Sequence, residues 1–251
     1  MDRFRIDGKI AIVTGATRGI GQAAALALAE AGADVAVLGH AHKPDQTAES
    51  VLALGRNVMV FQGDLTDSNF RACVVDEVLG RWGRVDILVN SAGTTVRTPA
   101  VDFRESDWDH VLDVNLTSVF RMCQLVGRQM LKQGSGKIIN IASLQSFNGG
   151  FTIPAYAASK GGVAQVTKAL ANEWGRFNVN VNAIAPGYIL TDLTRPLYDD
   201  PAGSQEIQER IPVRRWGRPE DLMGSIVLLA SSASDFIHGH ILLVDGGWMA
   251  R

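Results

Sequence analysis

Cysteine is nearly missing from this sequence: Cys73 and Cys123 are the only two in 251 residues. Two thiols are too few for a disulfide-built secreted scaffold, and they lack metal-ligand spacing, so a reducing cytoplasm and no metal are expected. Long apolar runs are missing too. The opening residues, Met1-Asp2-Arg3-Phe4-Arg5-Ile6-Asp7-Gly8, contain no apolar core of signal-peptide length, and no later stretch is long enough to cross a bilayer. The sequence therefore implies a soluble protein with no membrane partner. Neither sign of charge is in excess: 24 Lys and Arg stand against 26 Asp and Glu, a net charge of −2. That balance excludes the whole-chain basic character of nucleic-acid binders. Repeats, low-complexity tracts and an interdomain linker are also lacking.

What is present is apolar content, 46% of the residues, ample for one core at this length. A single domain over 1–251 is expected. Short apolar runs alternate with helical patterns. Ile10 to Val13, Val35 to Leu38, Val58 to Gln62, Val85 to Val89, Lys137 to Ala142, Val179 to Ile184 and Ile241 to Val244 read as strands. Between them, helices are predicted over Gln46 to Leu54, Phe70 to Leu79, from Ser106 through Met122, Pro154 to Trp174 and Glu220 to Ala230. Such alternation implies an α/β fold whose parallel sheet is covered on both faces, with right-handed crossovers. Asn180 and Asn182 are unusual for a buried strand. Tyr188 to Pro219 is long and polar and reads as a mobile substrate lid, 188–219, with a short helix over Gln205 to Arg210.

Two stretches carry chemistry. After the first strand comes Thr14-Gly15-Ala16-Thr17-Arg18-Gly19-Ile20-Gly21, then an Ala/Leu-rich helix. Three glycines at this spacing are weak evidence alone; the order strand, glycine turn, helix makes them informative. Such glycines let backbone approach a pyrophosphate, and the helix amino terminus offers it unpaired N–H groups. The second stretch runs from Ser143 to Lys160. A helix beginning near Pro154 puts Tyr156 and Lys160 one turn apart on one face, so the ammonium is expected to lower the phenol's pKa and make Tyr156 a proton donor and acceptor. Ser143, ending a central strand, could hydrogen-bond the reacting oxygen.

Together these residues resemble the classical short-chain dehydrogenase/reductase family, whose glycine motif is TGxxxGxG. The resemblance spans essentially the whole chain and includes Asp64-Leu65, Asn90-Ser91-Ala92-Gly93, Asn115, Ser143, Tyr156, Lys160, Pro186-Gly187 and Thr191, all in the family's order. Ser91 departs from it, standing where the family usually has a second asparagine, and is expected only to alter local hydrogen bonding. The resemblance implies a Rossmann-type doubly wound sheet of seven strands in the order 3-2-1-4-5-6-7, a homotetramer, and an NAD(P)-dependent oxidoreductase acting on a secondary alcohol or ketone. Tyr156 would transfer the proton, Ser143 orient the substrate oxygen, Lys160 tune the phenol and hold the ribose, and Asn115 support a water relay to the lysine. The cofactor would lie along Gly15, Thr17, Arg18, Gly19, Ile20 and Gly21. Farther on it would meet Gly39, His40, Asp64, Leu65, Asn90, Ala92 and Gly93, then Tyr156, Lys160, Pro186, Gly187, Ile189 and Thr191. Asp64 would face the adenine amino group, although it could equally cap the following helix.

NAD-preferring members usually carry an acid at the end of the second strand. Here stand Gly39 and His40, with His42, Lys43 and Arg18 nearby, which leaves room and positive charge for a 2′-phosphate. NADP(H) is favoured, with NAD(H) as the alternative. Within the family, the carboxyl-terminal segment, including Arg215-Trp216-Gly217 and Asp245-Gly246-Gly247-Trp248, resembles 2-deoxy-D-gluconate 3-dehydrogenases, implying a small sugar acid such as 2-deoxy-gluconate or its 3-keto product. Gln145, Phe147, Asn148 and Tyr188 are then substrate-facing candidates. Arg97, Arg195, Arg210, Arg214 and Arg215 are candidates for a carboxylate-binding cation. Two alternatives remain: a 3-oxoacyl carrier-protein reductase with Arg128, Lys132 and Arg176 as a docking rim, and a non-catalytic dinucleotide-binding sensor. Trp248 to Arg251 reads as a frayed end or an arm reaching a neighbouring subunit.

Overall fold

The computed structural model describes residues 2–251. Seven strands form one sheet: β1 (Ile10–Thr14), β2 (Asp34–Gly39), β3 (Val58–Gln62), β4 (Ile87–Asn90), β5 (Gly136–Ile141), β6 (Val179–Pro186) and β7 (Ile241–Val244). Their order is β3-β2-β1-β4-β5-β6-β7, as the sequence implies, and every pair is parallel. Alternation along β1 divides the core: Ile10 and Ile12 join Leu88, Met122, Ile138 and Val181 on one face, while Ala11 and Val13 join Leu28, Val37, Ile139 and Ile226 on the other. Strands so covered read as continuous apolar runs because neither side meets water.

The first face is packed by α3 (Ser68–Trp82), α5 (Ser118–Gln133) and α6 (Pro154–Trp174), with α4 (Glu105–Leu112) resting on α6; the second by α1 (Gly19–Glu30), α2 (Asp45–Ala53) and, later in the chain, Met223–Ala230. The chain order reverses between β1 and β4, the switch point where ligands of such sheets bind beyond the carboxyl ends of the strands.

Several expectations are refined. The helix predicted from Ser106 onward is two helices joined by a π-turn, Asp113–Thr117, with Asn115 fully buried inside it. Widening of this kind re-aims a side chain without breaking the helix, and it often marks functional positions. The segment 188–219 holds two helices rather than one, α7 (Arg195–Tyr198) and α8 (Pro201–Arg210). Its stem is clamped where Leu190 N–H donates to the Gly217 carbonyl and Gly217 N–H to that of Tyr188, both at 2.9 Å. The helix predicted from Glu220 opens as a tight turn, Pro219–Leu222, before α9 (Met223–Ala230). Asn180 and Asn182 have their explanation in the approach to β7: Asn180 Nδ2 donates to the carbonyl of Ile237 at 3.0 Å, and Asn182 Nδ2 to the same carbonyl at 2.8 Å. Each buried amide thus satisfies backbone that the sheet cannot.

Candidate active site

Two clefts at the switch point share Gly15, Arg18, Ala92 and Gly93. One, about 320 Å³, opens toward the ends of β2 and β3 past Thr17, Gly39, His40, Asp64 and Leu65. The other, about 430 Å³, runs past Gly19, Ile20 and Gly21 to Tyr156, Lys160 and Thr191. Gly15 has φ +67°, and a Cβ there would lie 2.7 Å from Ala92 Cα, so only glycine lets the turn sit against the strand-β4 loop. Thr14 Oγ1 holds that loop by accepting from Ser91 N–H at 3.0 Å and Ala92 N–H at 3.2 Å, contacts that use the backbone of Ser91 and not its side chain. A side chain at Gly93 would point between Asn115 Oδ1, 3.4 Å away, and Lys160 Nζ, 3.8 Å away. An extended dinucleotide fits this pair of clefts: bare backbone and a helix amino terminus at the centre, polar groups at both ends.

At the far end, Asp64 Oδ1 accepts from Thr66 N–H at 2.8 Å while Asp67 caps α3, so Asp64 is left facing the cleft, with His40 Nε2 3.8 Å from its carboxylate. A Cβ at Gly39 would overlap the carbonyl of His42 and lie 2.7 Å from Thr17 Oγ1. The strand-end acid is therefore excluded by space as well as by charge.

Asn115, Ser143, Tyr156 and Lys160 converge where the clefts end. Asn115 spends its amide on the loop after β4, accepting from Thr94 N–H and donating to the Thr94 carbonyl, both at 2.8 Å, and on Ser159 Oγ at 3.1 Å. Lys160 Nζ donates to the Ile141 carbonyl at 2.7 Å and stands 5.7 Å from the centre of the Tyr156 ring. Burial pushes its pKa down to about 8. Burial is also the largest influence on Tyr156 and raises its pKa, opposed by a hydrogen bond with Ser143 and the positive charge of Arg97. This corrects the expectation that the lysine's charge lowers the phenol: the ammonium is turned onto strand β5, and Arg97 is the cation acting on Tyr156.

A third cleft, about 450 Å³, meets the second at Tyr156 and is walled by Arg97, Ser143, Gln145, Asn148, Gly187, Tyr188, Arg210 and Trp248. Gln145 Oε1 and Asn148 Oδ1 are buried acceptors without a hydrogen bond. Of the five candidate arginines, Arg195 pairs with Asp199 at 3.8 Å, Arg215 with Asp221 at 2.6 Å, and Arg214 donates to the Glu209 carbonyl at 2.5 Å. Arg97 and Arg210 face this cleft, and among the described residues no carboxylate pairs with either.

Residues 15–249 match the family described as Enoyl-(Acyl carrier protein) reductase. A 2-dehydro-3-deoxy-D-gluconate 5-dehydrogenase of Bacillus subtilis (strain 168) is 50% identical over 252 residues, covering 100% of this chain and 98% of that protein. The chain belongs to the short-chain dehydrogenase/reductase family. It is accordingly an oxidoreductase. Among solved structures, the NADP-bound protein of Agrobacterium tumefaciens described as a 2-deoxy-D-gluconate 3-dehydrogenase superposes with a TM-score of 0.92 at 46% identity, covering 100% of both chains. A gluconate 5-dehydrogenase of Burkholderia cenocepacia J2315, in complex with NADP and tartrate, gives 0.93 at 40% identity, covering 100% of this chain and 98% of the other.

For this short-chain dehydrogenase most of the residues named from sequence line the clefts, and four readings need correction. The Asn90 side chain turns into the core, donating to Asn140 Oδ1 at 2.9 Å, because a residue at the end of a central strand can face a helix layer instead of the crevice. The Ile189 side chain is buried and lines neither cofactor cleft, although its neighbour Leu190 does. Phe147 is exposed and off the substrate wall. Arg128, Lys132 and Arg176 lie at or beyond the carboxyl ends of α5 and α6, which in parallel βαβ units return to the amino edge of the sheet, opposite the site. The largest omission is Trp248. Neither frayed nor reaching outward, it is buried in its own subunit with its ring 4.6 Å from that of Tyr188. His110 and Val114 on the adenosine side and Asp192, whose carboxylate pairs with Arg18 at 2.6 Å, were also missed; nothing local distinguishes them.

Proposed function

We propose that this short-chain dehydrogenase moves hydride between NADP(H) and a secondary alcohol or ketone of a six-carbon deoxy sugar acid. The carrying observation is the pair of unpartnered acceptors, Gln145 Oε1 and Asn148 Oδ1, in a cleft that also presents Arg97 and Arg210. A buried acceptor left unpaired costs about 1–3 kcal/mol. Sugar hydroxyls supply the donors and a carboxylate answers the guanidinium groups, whereas a 3-oxoacyl chain offers neither beside the keto group. Relatives support the same class. The first candidate is 2-dehydro-3-deoxy-D-gluconate oxidised at C5, after the Bacillus relative; the second is 2-deoxy-gluconate at C3, after the Agrobacterium structure.

In this reading the whole chain, 1–251, works as one dinucleotide-binding and catalytic unit with 188–219 as its lid. Ser143 and Tyr156 hydrogen-bond the reacting oxygen. In oxidation the phenolate takes the hydroxyl proton as the carbon gives up hydride; reduction reverses both transfers. When bound, the nicotinamide accepts or supplies the hydride. Lys160 holds the ribose and passes protons outward, and Asn115 positions Thr94 and Ser159 around it. The cofactor choice rests on His40 and the steric closure at Gly39, with Arg18 at the same cleft although engaged by Asp192, and the Agrobacterium and Burkholderia structures hold NADP. The free thiols of Cys73 and Cys123 suit the cytoplasm.

A spectrophotometric panel at fixed pH with NADP and NAD, alongside titration with NADPH and NADH, checks the assignment. The expected result is turnover of a deoxy sugar acid and tighter binding of NADPH. Preference for a 3-oxoacyl thioester would replace the reading by the acyl reductase, tighter NADH binding would overturn the cofactor choice, and no turnover at all would leave a sensor.

We also propose a homotetramer. Leu116, Phe120, Leu125 and Val166 remain half-buried on the helical segments that carry Asn115 and Tyr156, an apolar surface broad enough to serve both the sheet and a partner. Light scattering should give four chains at micromolar concentration, and a monomer would count against the assignment.

A further inference from the structure

We propose that the carboxyl-terminal turn is a working part of the substrate lid: Trp248 is the platform that holds Arg210 as the reader of the substrate's carboxylate. The inference rests on the sugar-acid reading above and adds to it the group that recognises the acid. Trp248, Ile211 and Leu144 form a hydrophobic cluster of their own, with Tyr188, Ile207 and Met249 packed against it, so the lid, the loop after β5 and the chain end are one packed body. The terminal turn is built for this. Asp245 accepts from Gly247 N–H at 2.9 Å and from Met249 N–H at 2.8 Å, and Val213 N–H donates to the Gly246 carbonyl at 3.2 Å. A Cβ at Gly247, whose φ is +91°, would lie 2.9 Å from Pro212, so the turn is pressed directly onto the segment leaving α8.

On that surface the Arg210 guanidinium lies 4.1 Å from the centre of the Trp248 ring. Stacking on indole fixes a guanidinium's plane while leaving its N–H edge free, the arrangement that bidentate carboxylate recognition needs. Asn148 Oδ1 is unpartnered, its Nδ2 resting on Met249 Sδ at 3.6 Å, so the same cleft holds an acceptor for a hydroxyl as well as the cation.

The test compares wild type with Arg210→Gln, Trp248→Ala and Trp248→Phe in steady-state kinetics, and in calorimetric binding of D-gluconate and of uncharged D-glucitol to the NADP-loaded protein. Wild type should bind gluconate at least ~10-fold more tightly than glucitol. Arg210→Gln should raise KM for the sugar acid about 10- to 100-fold with kcat nearly unchanged, and leave glucitol binding as it was. Trp248→Ala should follow it, while Trp248→Phe, which keeps a ring, should stay near wild type. Equal weakening of gluconate and glucitol, or an Arg210→Gln protein that handles the acid normally, would overturn the proposal; a normal Trp248→Ala protein would remove the platform. Because the binding arm needs no turnover, absence of sugar-acid oxidation would sink the functional reading separately, and the carboxylate reader would still stand or fall on gluconate against glucitol.

Discussion

Replacing Tyr156 by phenylalanine should lower turnover at least ~100-fold, the low end for general acid–base catalysis, while NADPH affinity changes little. The variant removes one oxygen from a site whose other contacts survive: Lys160 stays on the Ile141 carbonyl and Asn115 on Thr94 and Ser159. Steady-state rates beside a fluorescence titration separate the two effects, and a variant that keeps its rate would remove Tyr156 from the proton path. The electrostatics have a direction as well. Burial raises the phenol's pKa, and Ser143 and Arg97 oppose it. Losing either opponent would raise the pKa further and displace the limb of the rate profile that reports Tyr156 toward higher pH.

Lys160→Met should have the second large effect, on the order of 100-fold in turnover, with weaker cofactor binding besides. It also has an unusual consequence for stability. The Lys160 pKa falls from 10.5 to about 8 because the ammonium is buried, so the unfolded chain binds the proton more tightly than the native one. The cost of burying the charge is fully present below about pH 8 and disappears as the pH rises toward 10.5. It amounts to roughly 3 kcal/mol, less about 1 kcal/mol for the lost hydrogen bond to Ile141, so the methionine variant should be the more stable protein at pH 7 by on the order of 2 kcal/mol. Its advantage should vanish before pH 10.5 and then reverse, because the missing hydrogen bond to Ile141 remains once the burial cost is gone. Thermal melts at several pH values would show this; a variant less stable than wild type at every pH would mean that the ammonium carries no burial penalty.

Chain order and periodicity by themselves placed the strands and implied a parallel α/β sheet, while the order of the seven strands came from the family resemblance. Ile10 to Val13 followed by Gly15, Gly19 and Gly21 specifies a strand, a turn and a helix using contacts only a few residues apart, and seven such runs allow few topologies. The grouping of Ser143, Tyr156 and Lys160 was readable because they lie within one strand–loop–helix unit, whereas Asn115 was added to them by the family resemblance. Asp64 facing its cleft needed the structure, since the competing cap falls to Asp67 only once the chain has turned.

Tertiary structure alone decided the substrate side. Arg97, Arg195, Arg210, Arg214 and Arg215 are equivalent as letters; Asp199, Asp221 and the Glu209 carbonyl engage three of them and leave Arg97 and Arg210 for the cleft. Arg128, Lys132 and Arg176 lost their place at the rim because each helix runs back to the far edge of the sheet. Trp248 and Tyr188 are sixty residues apart in sequence and stand ring to ring only because the segment 188–219 packs against the chain end. Local order encodes elements; the meeting of long side chains across elements depends on packing, and packing is what selects the substrate's neighbours.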